Sequence, residues 1–244
     1  MSTSRIDLFS PLSWLKRGWD DFMRHPVPGL VHGLALAVFG WLVVWVAHDR
    51  FWLMAGAFSG FMIVAPILTS GLYVISRNSA AGGAVGMREV FALWSSFDRR
   101  LVVFGLLLNL AGTGWVMTSA ALITALAPVP IHSPVDFIRH VVLSPNIGLF
   151  EAWLLLGGLL AAPVFASSVV AIPMLLDTRA SVRDAVQASW RAVGSHPLPL
   201  GVWATLIMVL VGAGMATALL GLVVVVPLLA HASWHAYVDL TASA

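Results

Sequence analysis

His231 and His235 are the residues whose type and spacing come nearest to a chemical site. Four positions apart on one helix, their imidazoles project from the same face and could be offered to one transition metal, or one of them to a haem iron. An ionisable group inside an apolar segment is a functional candidate by default, because the bilayer penalises it. Two nitrogens are too few to hold a transition metal alone, so His25, His32 and His196 are the residues that folding would have to bring near. The competing use of the pair is hydrogen bonding between helices, which the residues favour.

The remaining polar candidates are few. Glu151 opens an apolar run, where it either lies at the outer membrane interface or, facing a cavity, serves as a proton or cation site. Asp136 and His140 share a helical spacing in the segment 128–145, one that suits a surface metal site or a simple ion pair. Pro66, Pro163, Pro173 and Pro227 fall inside apolar runs and should kink helices, each removing the donor to a carbonyl one turn earlier, at Met62, Leu159, Val169 and Val223. No HExxH, phosphate-binding loop, dinucleotide glycine motif or nucleophile elbow is present, and no cysteine, so nothing recommends an enzyme.

What must position these residues is a membrane. Hydrophobic residues make up 59% of the 244 and charged residues 10%, with a mean hydropathy of +0.93. A soluble domain has about 45–50% and about 25% respectively, so this chain cannot cover a water-exposed body. Six runs reach the roughly 20 residues that cross the hydrocarbon core, over 27–47, 51–76, 101–126, 149–176, 198–218 and 219–237. Residues 1–26 carry seven charged side chains and are expected to remain attached as a cytoplasmic amphipathic segment rather than to be cleaved as a signal peptide.

Charge orients the spans. With both termini cytoplasmic, eleven Lys and Arg fall inside and only Arg50 and Arg139 outside. The pI near 9.7 follows from that asymmetry and requires no nucleic acid.

A pattern recurs three times. Amphipathic segments over Leu12–Pro26, Met87–Arg100 and Ser181–Pro197 align at WDDFMRHP, WSSFDRRL and WRAVGSHP, which place His25, Arg100 and His196 at one step. The stripes are Leu12, Leu15, Trp19 and Phe22; Val90, Phe91, Trp94 and Phe97; and Val182, Val186, Trp190 and Val193. Ser10-Pro11 supplies a start signal for the first segment, and Ser181 with Asp184 has capping-box spacing. Each segment precedes two spans, the second bearing Pro66, Pro163 or Pro227. Four residues past these prolines stand Ser70, Ser167 and His231. The expected fold is therefore all-α: one integral membrane domain over 1–244, with six spans in three parallel pseudo-repeats, each preceded by a cytoplasmic interfacial helix. Gly29 with Gly33, and Gly56 with Gly60, permit close helix contact within the chain or between copies of it.

APILTSGLYVISR from Ala65, IPMLLD from Ile172, SHPLP from Ser195 and GLVVVVPLLAHASWHAY from Gly221 resemble the predicted integral membrane proteins grouped as domain of unknown function 2189. The resemblance extends over roughly Trp14 to Leu240, the last motif being its most specific part. It implies a bacterial multi-pass membrane protein of no established activity, some of whose relatives carry the label of cytochrome oxidase subunits. A catalytic oxidase subunit needs more spans and more histidine ligands than this chain offers. The expected role is a non-enzymatic accessory or assembly protein of the bacterial inner membrane, with the lipid bilayer and other membrane proteins, respiratory complexes among them, as partners. Two other classes stay open: a small-solute transporter or channel, and a carrier of haem or a transition metal on His231 and His235.

Overall fold

A computed structural model describes residues 6–47, 56, 69–144 and 148–242, and these are helices and connecting turns without a strand. The helices are α1 (Ser10–Arg24), α2 (Pro26–Ala47), α3 (Ser70–Ala80), α4 (Met87–Ser95), α5 (Arg99–Leu126), α6 (Pro134–Phe137), α7 (Leu149–Ser168), α8 (Ala171–Asp177), α9 (Val182–Ser195), α10 (Pro197–Ala216) and α11 (Leu222–Ala242). A π-helical turn, Ile138–Val142, follows α6. Five stretches among the described residues are long and apolar enough to cross a bilayer: Pro26–Val46, Arg99–Leu126, Leu149–Asp177, Pro197–Ala216 and Leu222–Ala242. Of the run expected at 51–76, only Gly56 and the end from Thr69 fall among the described residues, and that end continues as α3 to Ala80.

The turns follow from local chemistry. His25 (φ −133, ψ 65) separates α1 from α2, and His196 (φ −131, ψ 54) separates α9 from α10. Each precedes a proline, whose ring drives the preceding residue out of the helical region. Between α4 and α5, where no proline stands, Phe97 adopts a left-handed φ of 44 instead. The last two spans part at 217–221, a break that brackets the division expected between 218 and 219, and the final helix runs on to Ala242. Ala218 (φ 53) and Leu219 (φ 70) are left-handed there, a strained conformation for residues with a Cβ. Gly221 allows that turn to close, since a Cβ on it would lie 2.9 Å from the Cα of Gly214.

Two starts differ in an instructive way. Asp7, not Ser10, opens α1: its Oδ1 accepts from the backbone N–H of Phe9 and of Ser10, both at 2.9 Å. At α9 the expected capping box is present, with Ser181 accepting from the Asp184 N–H and Asp184 reaching back to Ser181.

The chain divides into two compact units. In the unit drawn from 1–38, 66–104 and 165–244, α3, α8 and α11 pack against one another. Around them α4 packs on α3, α9 on α8, and α1 on α11. The buried face of α1 is Trp14, Gly18, Asp21 and Phe22, whereas Leu12 and Trp19 of the expected stripe are exposed. Gly18 is required by that contact, because a Cβ there would lie 2.6 Å from the backbone nitrogen of Ala232. Trp14 is fully buried and meets Trp203 edge to face, with ring centroids 5.7 Å apart.

The other unit, drawn from 39–65 and 105–164, centres on Trp153. Its indole N–H donates to Ser119 Oγ at 2.7 Å, and Trp115, Phe137 and Phe150 surround its ring at 5.6, 5.3 and 6.2 Å. Ile123, Ile131 and Val141 form the buried apolar cluster beside it.

Candidate functional site

His231, His235 and Asp239 recur at steps of four along one face of α11, and each meets a different partner. His231 is fully buried, and its Nδ1 shares a 2.7 Å hydrogen bond with Ser76 Oγ of α3. The Nε2–H of His235 donates to Asp21 Oδ2 of α1 at 2.9 Å. Asp239 accepts the indole N–H of Trp14 at 2.8 Å and forms an ion pair with Arg17. A line of polar groups thus runs along α11, from Asp239 in partial contact with solvent to His231 with none.

Either group can donate in the 2.7 Å contact of Ser76 Oγ with His231 Nδ1. His231 Nε2 has no partner among the described residues. Burial by itself raises the Asp21 carboxyl, but the bonds from His235 and Ser76 outweigh it and hold the group below the usual carboxylate range.

The other histidines are dispersed. His25 Nε2 meets Ser79 Oγ at 3.2 Å, which ties the α1–α2 elbow to the end of α3. His32 is buried on α2, where its Nδ1–H donates to the Pro28 carbonyl at 2.7 Å and its ring lies 5.3 Å from that of Trp94. His196 is the half-buried elbow residue before α10. Among the described residues no group of three or more His, Cys, Asp or Glu side chains gathers as a metal site.

Glu151 is exposed and accepts the Gly148 N–H at 2.9 Å, so its carboxylate caps the start of α7. Asp136 does the same for α6, accepting from the backbone of His132 and Ser133 at 3.2 and 3.0 Å. Asp177 accepts the Tyr237 hydroxyl at 3.0 Å.

Of the four prolines, Pro66 lies outside the described residues. Pro163, on an exposed face, and Pro227, buried, stand inside continuous helices. Pro173 has the largest local effect: α7 and α8 part at Val169 and Val170, one turn before it. Ser189 Oγ accepts the N–H of Val170 there, at 3.1 Å. Near Pro227, the Gly29 and Gly33 step is used within the chain: a Cβ on Gly29 would lie 2.9 Å from Pro227 Cβ, and one on Gly33 2.6 Å from Val223 Cα. The Val223 carbonyl deprived of its donor by Pro227 therefore faces glycine, the one residue that lets α2 approach it. Gly60, of the second glycine pair, lies outside the described residues.

Sequence reasoning missed Asp21, Ser76, Trp14 and Arg17 as partners, and it aligned Arg100 with His25 and His196 without finding what it bonds. The Arg100 guanidinium donates to the carbonyls of Leu175, Thr178 and Ala180 at 3.0, 2.9 and 2.8 Å while paired with Asp98 at 2.7 Å, and so closes the C-terminus of α8. Arg77 adds a bond to the Leu176 carbonyl at 3.0 Å.

Long apolar helices and a polar network held between helices define a multi-pass α-helical membrane protein. Residues 53–177, just over half of the chain, match the model of the family described as predicted integral membrane protein, domain of unknown function 2189, and the chain belongs to that family. The matched stretch contains APILTSGLYVISR and IPMLLD, while the motif from Gly221 lies beyond it. No curated protein and no solved structure matches the chain.

Proposed function

We propose that this protein is a non-enzymatic accessory or assembly factor of the bacterial inner membrane, built from three parallel repeats of interfacial helix, span and proline-bearing span. The observation that carries the proposal is the engagement of His231 and His235 in separate bonds to Ser76 and Asp21, which employs the pair in joining α11 to α3 and α1. The repeat is supported by the packing order, in which the interfacial helix of each repeat rests on the second span of the preceding one, with α1 on α11 closing the cycle. It is supported again by two elbow contacts, from His25 to Ser79 and from Arg100 to the end of α8, each tying the start of a repeat to the end of its own second span. Such a bundle offers partner membrane proteins a fixed surface and needs no chemistry.

In cells carrying His231→Ala or His235→Ala, protein level and recovery of copurifying membrane proteins should fall together, while solute uptake stays unchanged. Loss of a specific uptake at normal protein level would replace the proposal with a transporter. The unpartnered Nε2 of His231 favours a second reading, a carrier of haem or a transition metal. An absorption spectrum with elemental analysis of protein purified from its own membranes decides it, since a Soret band or stoichiometric metal abolished by His231→Ala would establish a carrier.

A further inference from the structure

The helices α1, α4 and α9 each have two unlike faces. Inward they present Gly18, Val90, or Ala185 and Ser189, which are buried. Outward they present Trp19, Trp94 and Trp190, exposed to 43, 43 and 49%. Leu12, Met23 and Phe91 accompany these tryptophans, and Lys16 lies on the same stripe of α1 between Leu12 and Trp19. Water does not favour such a row of large apolar side chains, and hydrocarbon does not favour Lys and Arg. The headgroup layer accepts both.

The charges on these faces are unequal in what they already touch. Asp21 is bound to His235, Asp98 to Arg100, Asp239 to Trp14 and Arg17, and Asp184 to the cap of its own helix. Lys16, Arg88, Arg99, Arg183 and Arg191 form no ion pair among the described residues, and Arg24 reaches Asp21 only at 3.8 Å with most of its side chain exposed. Against Lys16 and Arg24 stands the exposed Asp20, against Arg88 and Arg99 the half-buried Glu89, and against Arg183 and Arg191 the exposed Asp184, so each of the three faces keeps an excess of one positive charge.

We propose that the outer face of α1, that of α4 with the start of α5, and that of α9 are three docking sites for the headgroups of anionic phospholipids, each formed by one tryptophan and two basic residues: Trp19 with Lys16 and Arg24, Trp94 with Arg88 and Arg99, and Trp190 with Arg183 and Arg191. The tryptophan sets the depth of the helix in the headgroup layer, and the cations draw phosphate from the surrounding leaflet. This inference rests on the interfacial placement proposed above.

The experiment uses the full chain in phosphatidylcholine vesicles containing a fixed minor fraction of brominated lipid, either phosphatidylcholine or phosphatidylglycerol, with tryptophan quenching as the readout. Brominated phosphatidylglycerol should quench the more strongly, and the excess should shrink with added salt. Replacing Lys16 and Arg24 by Gln, or Arg88 and Arg99, or Arg183 and Arg191, should each remove about a third of the excess, whereas the Lys pair Arg183→Lys with Arg191→Lys retains it. Equal quenching of the wild-type protein by the two lipids overturns the proposal. Replacing Trp19, Trp94 and Trp190 by Phe separates the two inferences: reduced quenching by brominated phosphatidylcholine upholds the interfacial placement even where the anionic preference fails. Unchanged quenching rejects the placement and the docking sites together.

Discussion

The imidazole of His235 and the carboxylate of Asp21 meet at 2.9 Å across 214 positions of sequence. Asp21 is buried and His235 half-buried, so neither can recover full hydration when the other is removed. Asp21→Asn and His235→Ala should each lower stability by about 1–3 kcal/mol, and the double variant by less than the sum. Unfolding by SDS from mild detergent, followed by tryptophan emission, gives the cycle. Strict additivity would show that the two residues do not act as a pair.

Acid should weaken the same joint. The carboxyls of Asp21 and Asp98 are both held below the ordinary carboxylate value, the first by the His235 and Ser76 bonds against the effect of burial, the second chiefly by Arg100. The unfolded chain then binds their protons more readily than the folded one. Their stabilisation is complete above the unfolded value of about 3.9 and is lost as pH falls through the lower folded values. The SDS midpoint should therefore be flat in this respect from neutrality to about pH 5 and fall below it. Asp21→Asn should flatten that acid limb.

Close backbone approach sets a third expectation. Gly33→Val places a side chain against Val223 and should cost about 1–3 kcal/mol. Gly114→Ala, in open space within α5, should be neutral or stabilising by up to about 1 kcal/mol. Thermal melts in detergent compare the two, and equal effects would dismiss the α2–α11 contact.

Arg100 closes α8 with three carbonyl bonds that a shorter or unforked side chain cannot reproduce. Arg100→Met should cost about 2 kcal/mol and speed hydrogen exchange over 171–180, with Arg100→Lys recovering only part. Exchange unchanged in that segment would make the cap unimportant.

Spans were legible because twenty apolar residues in a row have one use in a chain so poor in charge. The elbows were legible at His25 and His196, where proline dictates them, and less so before α5, where Phe97 takes a left-handed turn that no residue type announces. The side of α1 that meets the other helices was not legible. Its apolar stripe marked a face for the membrane interface, on which Leu12 and Trp19 are exposed, whereas the contact with α11 falls to Gly18, a small residue that permits close packing. The spacing of His231 and His235 marked the candidate site. Their partners were hidden because Ser76 and Asp21 stand 155 and 214 positions away, and helical periodicity carries no information about which helix lies opposite.

The contact of α1 with α11 also imposes an order of events. Trp14 and Asp239 are bonded across 225 positions, so α1 leaves the ribosome long before the surface that covers its Trp14, Gly18 and Asp21 exists. Until residues 231–239 have been made, a glycine groove and a buried-type carboxylate stand open on the nascent chain. Arrested or shortened products lacking α11 would carry that open face permanently, and such a face is what membrane proteases and holding chaperones can recognise.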